Sequence, residues 1–377
     1  MHANAEVGFD LKKTTAYLKQ RLAQMGYTPK DCGKAGVVTT LGKPRKGGKA
    51  FLLRADTDAL PIKERSGESF AAKNGNMHAC GHDLHAATLL GAAALLKARE
   101  NELFSEVKLL FQPAEETLEG AKECLKSGVL SAPEVGGAMM LHTLVDLPLK
   151  SGTLIVSSEG VSAPAADYFT VEVTGKSCHG SSPEKGVDAL LCAAHILTAL
   201  QEILSREIAY STPATLTVGK CEAGAAGNVI AGKASLQGTI RAFDEDVRAF
   251  LKTRLCAVVK TVAKAFRARS SVRFTSGCPC LQNDGKLSAF LHETATGILG
   301  KERVKFSAEL GRGGGGSEDF AYISREVPSI MAGLCAGERK QGYAYPLHHE
   351  RARFDESVLP VGAAVFAAAA IGWGKLG

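Results

Sequence analysis

The sequence holds one tryptophan and only seven tyrosines. It has no dense run of lysine and arginine, and its net charge of +6 is spread along 377 residues. Both shortages argue against a nucleic-acid binder built on basic patches and stacking aromatics. None of the opening residues reads as a secretory h-region, and no apolar stretch reads as long enough for a membrane span. The most apolar run, "VGAAVFAAAAIGW" at 361–373, is short and reads as a packed helix. A disulfide framework is also missing. Ten cysteines fall singly at 32, 80, 124, 178, 192, 221, 256 and 335, with only Cys278 and Cys280 close together. A chain this long builds its core without staples. Reduced thiols in the cytoplasm, most of them small core residues, are therefore expected.

What is present is an alternation. "AFLLRADTDALP" (50–61), "EVKLLFQPAEE" (106–116) and "GGAMMLHTL" (136–144) are apolar runs that end in polar groups. Helical patterns at 84–99 and 118–127 separate them. This order predicts an α/β layer with a mostly parallel central sheet and helices on both faces. Such sheets bind ligands beyond the carboxyl ends of their strands. Asp56, Asp58, Glu115, Glu116 and His142 all fall at such ends. From about 165 the grammar changes to β-α-β-β-α-β, the order of a ferredoxin-like α+β domain. The expected division is 1–164 and 277–377 for a catalytic metal-binding domain, with 165–276 inserted as a lid. "GRGGGG" (311–316) reads as a mobile loop; it lacks the Gly-Lys-Ser/Thr ending of a phosphate loop.

The chemistry concentrates in "MHACGHDLHAA" (77–87). Cys80 and His82 are two apart; on extended backbone they face the same way and could grip one metal just before the helix begins. On a helix they would face apart. With no second cysteine nearby, a four-thiolate structural zinc site is disfavoured. Glu115 and Glu116 are neighbours. On non-helical backbone they point in opposite directions, one toward a metal and the other toward a water whose proton it takes. The alternative is a pair of first-turn acids favoured by a helix dipole.

"RADTDALP", "MHACGHD", "FQPAEE", "LH" at 141–142, "GNVI" at 227–230, "GTIRAFD" at 238–244, "GSEDF" at 316–320 and "YPLHHERARFD" at 345–355 occur in that order. The chain thereby resembles the aminoacylase and carboxypeptidase metallopeptidase family. It is most similar to the branch of N-acyl-amino-acid amidohydrolases, hippurate hydrolases and indole-acetyl-amino-acid hydrolases. The resemblance implies a two-metal catalytic domain carrying a lid domain that forms a homodimer contact. It implies Cys80, His82, Glu116, His142 and His348 as metal ligands, with His349 a rival to His348, and Glu115 as general base. Asp58 would orient ligands from behind, and His78 and His85 would be structural or supporting groups. His179 would stabilise the oxyanion, although it could be an ordinary turn histidine. Asn228 and Arg241 would hold the substrate carboxylate, although Arg241 could pair with a neighbouring acid.

The implied reaction cleaves the amide of an N-acyl amino acid to a carboxylic acid and a free amino acid. The implied cofactor is a pair of divalent ions, Zn or Mn first, Co or Ni as alternatives. A dipeptidase or carboxypeptidase, or a catalytically inactive metal-binding homologue, are the competing readings. Two departures from the family pattern stand out. "HANAEVGF" starts at His2 with Ala5 where proline is usual, and a first helix is expected to be missing or supplied differently. "CHGSSPEKG" replaces the more common "GHAAMPHxG".

Overall fold

The computed structural model describes residues 1–44, 48–311 and 316–374. Most of the "GRGGGG" segment, read above as a mobile loop, lies outside the described residues. The chain divides into two compact units. The first holds Met1–Ser162 and nearly all residues after Cys280; the second holds Ala163–Cys280 with Gly316 and Ser317.

In the first unit the chain runs through α1 (Lys12–Gln24), β1 (Lys30–Cys32), β2 (Gly36–Leu41), β3 (Ala50–Asp56), α2 (His82–Ala98), β4 (Val107–Gln112), α3 (Gly120–Lys126), β5 (Val135–Leu144), β6 (Leu154–Val156) and β7 (Gly160–Ala163). The second unit supplies β8 (Ala165–Thr174), β9 (Cys178–His179), α4 (Ala189–Glu202), β10 (Ala214–Ala223), β11 (Val229–Ile230), β12 (Lys233–Ala242), α5 (Glu245–Ala265) and β13 (Arg269–Cys278). The first unit then resumes with β14 (Leu281–Asn283), α6 (Gly285–Leu299), β15 (Val304–Phe306), α7 (Ala321–Ser324), β16 (Ser329–Cys335) and α8 (Leu359–Trp373).

The large sheet has the order β1-β2-β4-β3-β5-β16-β6-β15. Its centre is parallel: β4, β3, β5 and β16 all run the same way. The pairs β1–β2, β2–β4 and β16–β6 are antiparallel. β3 is buried at every position, as expected of a central strand covered on both faces. Its odd residues Phe51, Leu53 and Ala55 join the apolar layer with α2 and α8. The even residue Arg54 turns to the other side. Asp56, Glu115 and His142 thus arrive at the carboxyl ends of three adjacent parallel strands.

The amino end is anchored. The His2 imidazole bridges Asp83 at 2.7 Å and Glu64 at 3.0 Å, and Asn74 and Asn76 donate to the Ala5 carbonyl at 2.7 and 3.0 Å. The carboxyl-terminal apolar segment is longer than its sequence suggests. Glu356–Trp373 reaches the length and hydropathy of a membrane span, which corrects the sequence expectation. Here α8 packs on α2 as a core helix. The two backbones approach closely at Gly362, where a Cβ would sit 2.6 Å from Thr88 Cγ2 and 2.9 Å from Leu334 Cδ2.

The second unit has a four-stranded antiparallel sheet, order β10-β12-β8-β13. α4 and α5 cover one face with Phe169, Val171, Val173, Leu236 and Ile240. Asp188 and Asp244 cap these helices, each accepting two backbone N–H bonds. β9 and β11 form a separate ribbon in which Val229 sits opposite His179.

Gly362→Leu overpacks the α2–α8 contact. It should cost about 1–3 kcal/mol and lower the midpoint of urea unfolding. An unchanged midpoint would show that the helices part without strain.

Candidate metal and catalytic site

Gly81 starts the site. Its φ of 83° turns the chain between Cys80 and α2, and a Cβ there would lie 2.4 Å from Thr143 Oγ1. Only glycine meets both demands. This corrects one sequence expectation. His82 is the first residue of α2 rather than part of an extended approach, and the left-handed turn at Gly81 brings Cys80 and His82 together. Cys80, His82 and His142 have ligand atoms within 4.8 Å of one another. Cys80 Sγ lies 3.6 Å from His142 Nε2.

Glu115 and Glu116 sit in a turn opened by Ala114, whose φ is 54°. The Asp58 carboxylate accepts from both backbone N–H groups, at 3.0 and 3.2 Å. Their carboxylates do not diverge as expected. Glu115 Oε2 and Glu116 Oε1 each lie 3.9 Å from His82 Nε2, because the turn, not an extended strand, sets their direction. Glu116 Oε1 is also 3.3 Å from His348 Nε2. His348 takes a left-handed φ of 64° and is tied by its N–H to the Ala79 carbonyl at 2.9 Å. It clusters with Cys80 and Glu116. His349 instead stacks on Tyr345 at 4.6 Å, and its Nδ1 accepts from Arg351 N.

The imidazoles are oriented from behind. His82 Nδ1–H donates to the Asp58 carbonyl at 2.9 Å, and His142 Nδ1–H to the Thr143 carbonyl at 2.7 Å. Each Nε2 is thereby left to face the cluster. His82 Nε2 is buried with no hydrogen-bond partner, and Glu116 Oε1 faces the His348 Nε2 at 3.3 Å. A buried polar atom without a partner is costly, and an ion ligated there removes that cost. Thiolate, imidazole and carboxylate donors suit a borderline-soft divalent metal.

His85 also reaches the cluster, but both its nitrogens are used. Nδ1 donates to Asp56 Oδ1 at 2.5 Å, and Nε2 accepts from Thr143 N at 2.7 Å. Burial holds it down near a pKa of about 4 despite Asp56. It braces Asp56 and has no lone pair left to ligate. His78 is buried and joins none of the clusters among the described residues.

Charge is concentrated here. Burial pushes the Cys80 thiol up, but His142, His82 and His348 override it and bring it down to about 6. Burial pushes His142 down, yet Cys80, Asp56 and Glu318 raise it to about 9. Hydrogen bonds to Cys80 and Glu116 raise His348 to about 10. Glu115 is pushed well up by burial and by the charges of Glu318, Asp319 and Glu116.

Three residues beneath the site carry no role from sequence: Arg54, Glu318 and Asp319. Arg54 is fully buried and pairs with Asp56 at 2.7 Å, Glu318 at 2.8 Å and Asp319 at 3.0 Å. Glu115, Glu318 and Asp319 are close enough to hold an ion. Arg54 already supplies that cation. The available signal was a charged residue inside an otherwise apolar strand.

In the second unit His179 is exposed. Its Nδ1 takes the Ser181 hydroxyl at 2.7 Å and the Ser181 N–H at 3.2 Å. Asn228 precedes β11, and its carbonyl accepts from Gly180 N at 2.7 Å. Arg241 lies on β12.

Residues 52–371 match peptidase family M20/M25/M40. The chain belongs to that family. It is 36% identical over 334 residues to the N-acetyl-L-cysteine deacetylase of Bacillus subtilis, covering 88% of this chain and 77% of that protein. It is 33% identical over 377 residues to an IAA-amino acid hydrolase of Arabidopsis thaliana, covering 98% and 83%. A crystal structure of a dinuclear metal-binding peptidase of the M20 family from Bacillus subtilis superposes with a TM-score of 0.81 at 30% identity, covering 99% of this chain and 95% of that one. This family member is thus a hydrolytic enzyme with the mixed, mostly parallel sheet of that fold.

In chelator-treated protein the Cys80 thiolate should absorb at 240 nm above a pH of about 6 and lose that signal below it. Cys80→Ser should remove this step from the titration. If the two titrations superimpose, Cys80 lacks the cationic neighbours described.

Proposed function

We propose that the chain hydrolyses the amide bond of N-acyl amino acids at a centre of two divalent ions. The observation that carries this is the cluster of Cys80, His82, Glu116, His142 and His348 around His82 Nε2, which is buried without a hydrogen-bond partner. Those five residues would hold the ions, Zn or Mn, with Co or Ni also fitting the donor set. When bound, the ions supply Lewis acidity toward water and the amide carbonyl.

The chain's own residues do the rest. Glu115 takes the proton of the attacking water. Its raised pKa suits a base that must keep the proton and then give it to the leaving nitrogen. The Asp319 N–H, 3.4 Å from Glu115 Oε1, and the Asp58 carboxylate on the Glu115 N–H keep that carboxylate aimed. His179 would offer the developing oxyanion an Nε2–H donor, because Ser181 N–H already occupies Nδ1. Asn228 and Arg241 take the substrate's α-carboxylate. Among the described residues no carboxylate pairs with Arg241; the nearest in sequence to its strand partner, Asp167, is engaged by Arg248 at 2.6 Å and Lys252 at 2.8 Å. The ten free cysteines fit a reducing, cytoplasmic setting.

Glu115→Gln should retain both ions by elemental analysis and lose turnover about 10²- to 10⁴-fold. Activity would be screened over N-acetyl, N-benzoyl and dipeptide substrates after loading with each metal. Near-wild-type turnover of the variant would remove Glu115 from the base role.

We also infer a homodimer through 165–276, the lid, in which His179 acts on the partner's site. Unpaired sheet edges such as β10 and β13 invite a two-fold partner. Mixing Glu115→Gln with His179→Ala protein should restore activity up to about a quarter of wild type, since half the dimers mix and each mixed dimer has one complete site of two. No recovery despite proven subunit exchange would place His179 in its own chain's site or outside catalysis.

A further inference from the structure

Arg241 is held in an unusual way for a half-buried cation. On β12 the residues Ala234, Leu236, Ile240 and Ala242 face the helices, so Arg241 and Thr239 face the open side of the sheet. Opposite Arg241 on β8 stands Ala166, which offers only a methyl group, and the next outward residue is Tyr168. The guanidinium folds diagonally into that gap. Its Cζ lies 5.1 Å from the Tyr168 ring centroid, within cation–π range. One terminal nitrogen donates to the Tyr168 hydroxyl at 3.2 Å and the other to the Ile240 carbonyl at 3.0 Å.

Both partners are neutral acceptors, and among the described residues no carboxylate compensates the positive charge. A guanidinium has five N–H donors in one plane. Two are spent on orientation and three are left, enough for a forked pair of bonds to a carboxylate. The acid adjacent to Tyr168, Asp167, faces the other side of the sheet, where Arg248 and Lys252 neutralise it. The strand alternation thus keeps the local acid away from Arg241 and puts a phenol beside it.

We propose that Tyr168 is a specificity-determining positioning residue: its ring and hydroxyl hold the Arg241 fork open, and thereby select amides whose leaving amine carries a free α-carboxylate. This rests on the assignment of Arg241 to that carboxylate. Tyr168 itself does not touch the reacting atoms. Its effect is on binding, through Arg241.

The experiment compares the N-acyl amino acid that the metal-loaded enzyme cleaves best with the carboxamide of the same compound. Tyr168 is 39% exposed, so replacing it leaves the core intact. Tyr168→Phe keeps the ring and removes the bond to the fork. It should raise KM for the acid about tenfold, the lower end of what a charged hydrogen bond contributes, with little change in kcat and none in KM for the amide. Arg241→Gln should erase the preference for the acid. If Arg241→Gln erases it and Tyr168→Phe leaves it untouched, the role of Tyr168 is overturned while that of Arg241 stands. If Tyr168→Phe lowers kcat on both compounds alike, its role is structural and the proposal is overturned. If Arg241→Gln also keeps the preference, or the wild type shows none, the carboxylate assignment fails and this inference with it.

Discussion

Arg54 is the residue on which the rest of the site depends. It sits on the central strand, fully buried, and its guanidinium gathers Asp56, Glu318, Asp319 and Gln112. An isolated buried charge is prohibitively costly, and a buried ion pair is tolerated only with its remaining donors and acceptors satisfied. Arg54 meets that condition by recruiting two acids from 264 and 265 residues further along the chain. The three acids are not equivalent: against burial, the nearby histidines and the Arg54 guanidinium hold Asp56 well below the usual carboxylate range, while burial and Glu318 push Asp319 up to about 8. The influence of this cluster extends upward. Asp56 draws His85 and His82 to itself, and Glu318 and Asp319 contribute to raising Glu115. Asp56 and the acids around Arg54 thus hold the histidines and Glu115 in place from below.

Asp58 converts that field into geometry. Its carboxylate receives the backbone N–H groups of Glu115 and Glu116, and its carbonyl receives His82 Nδ1–H. One residue at the end of β3 thus fixes the turn that carries both glutamates and the ring that faces them. Groups behind a ligand set its direction and basicity as much as the ligand itself does. The "DTD" of the third strand and the "AEE" after the fourth are one unit, though 57 and 58 residues separate their bonded groups.

How much of this is legible in the sequence depends on range. Apolar runs ending in acids give the strand ends, because in a parallel sheet those ends share one edge. Asp56, Glu115 and His142 are accordingly found at the carboxyl ends of adjacent strands. The local directions are harder. A two-residue spacing suggests extended backbone around Cys80 and His82, whereas Gly81 turns the chain and the helix begins at His82. Adjacent glutamates suggest divergence, whereas a left-handed Ala114 makes them converge. Of the adjacent histidines, His348 clusters with Cys80 and Glu116 while His349 stacks on Tyr345, a difference that two neighbouring letters do not show. The partners of Arg54 are least legible, since "GSEDF" carries nothing that names a strand so far away.

The histidines show how a fold assigns different chemistry to one side chain. At His82 and His142 a backbone carbonyl takes the Nδ1 proton, so in the neutral ring Nε2 presents a lone pair. That is what a metal requires. At His85 a carboxylate takes one nitrogen and a backbone N–H the other, so the ring has nothing left to offer and serves as a brace. At His179 the polarity is reversed: a backbone N–H points at Nδ1, which places the proton on Nε2 and makes that atom a donor. A donor is what an oxyanion requires. The proposed division of labour among these four rings therefore follows from which backbone group, C=O or N–H, lies behind each one. Replacing a ring would delete its role, but moving one peptide plane would exchange it for another.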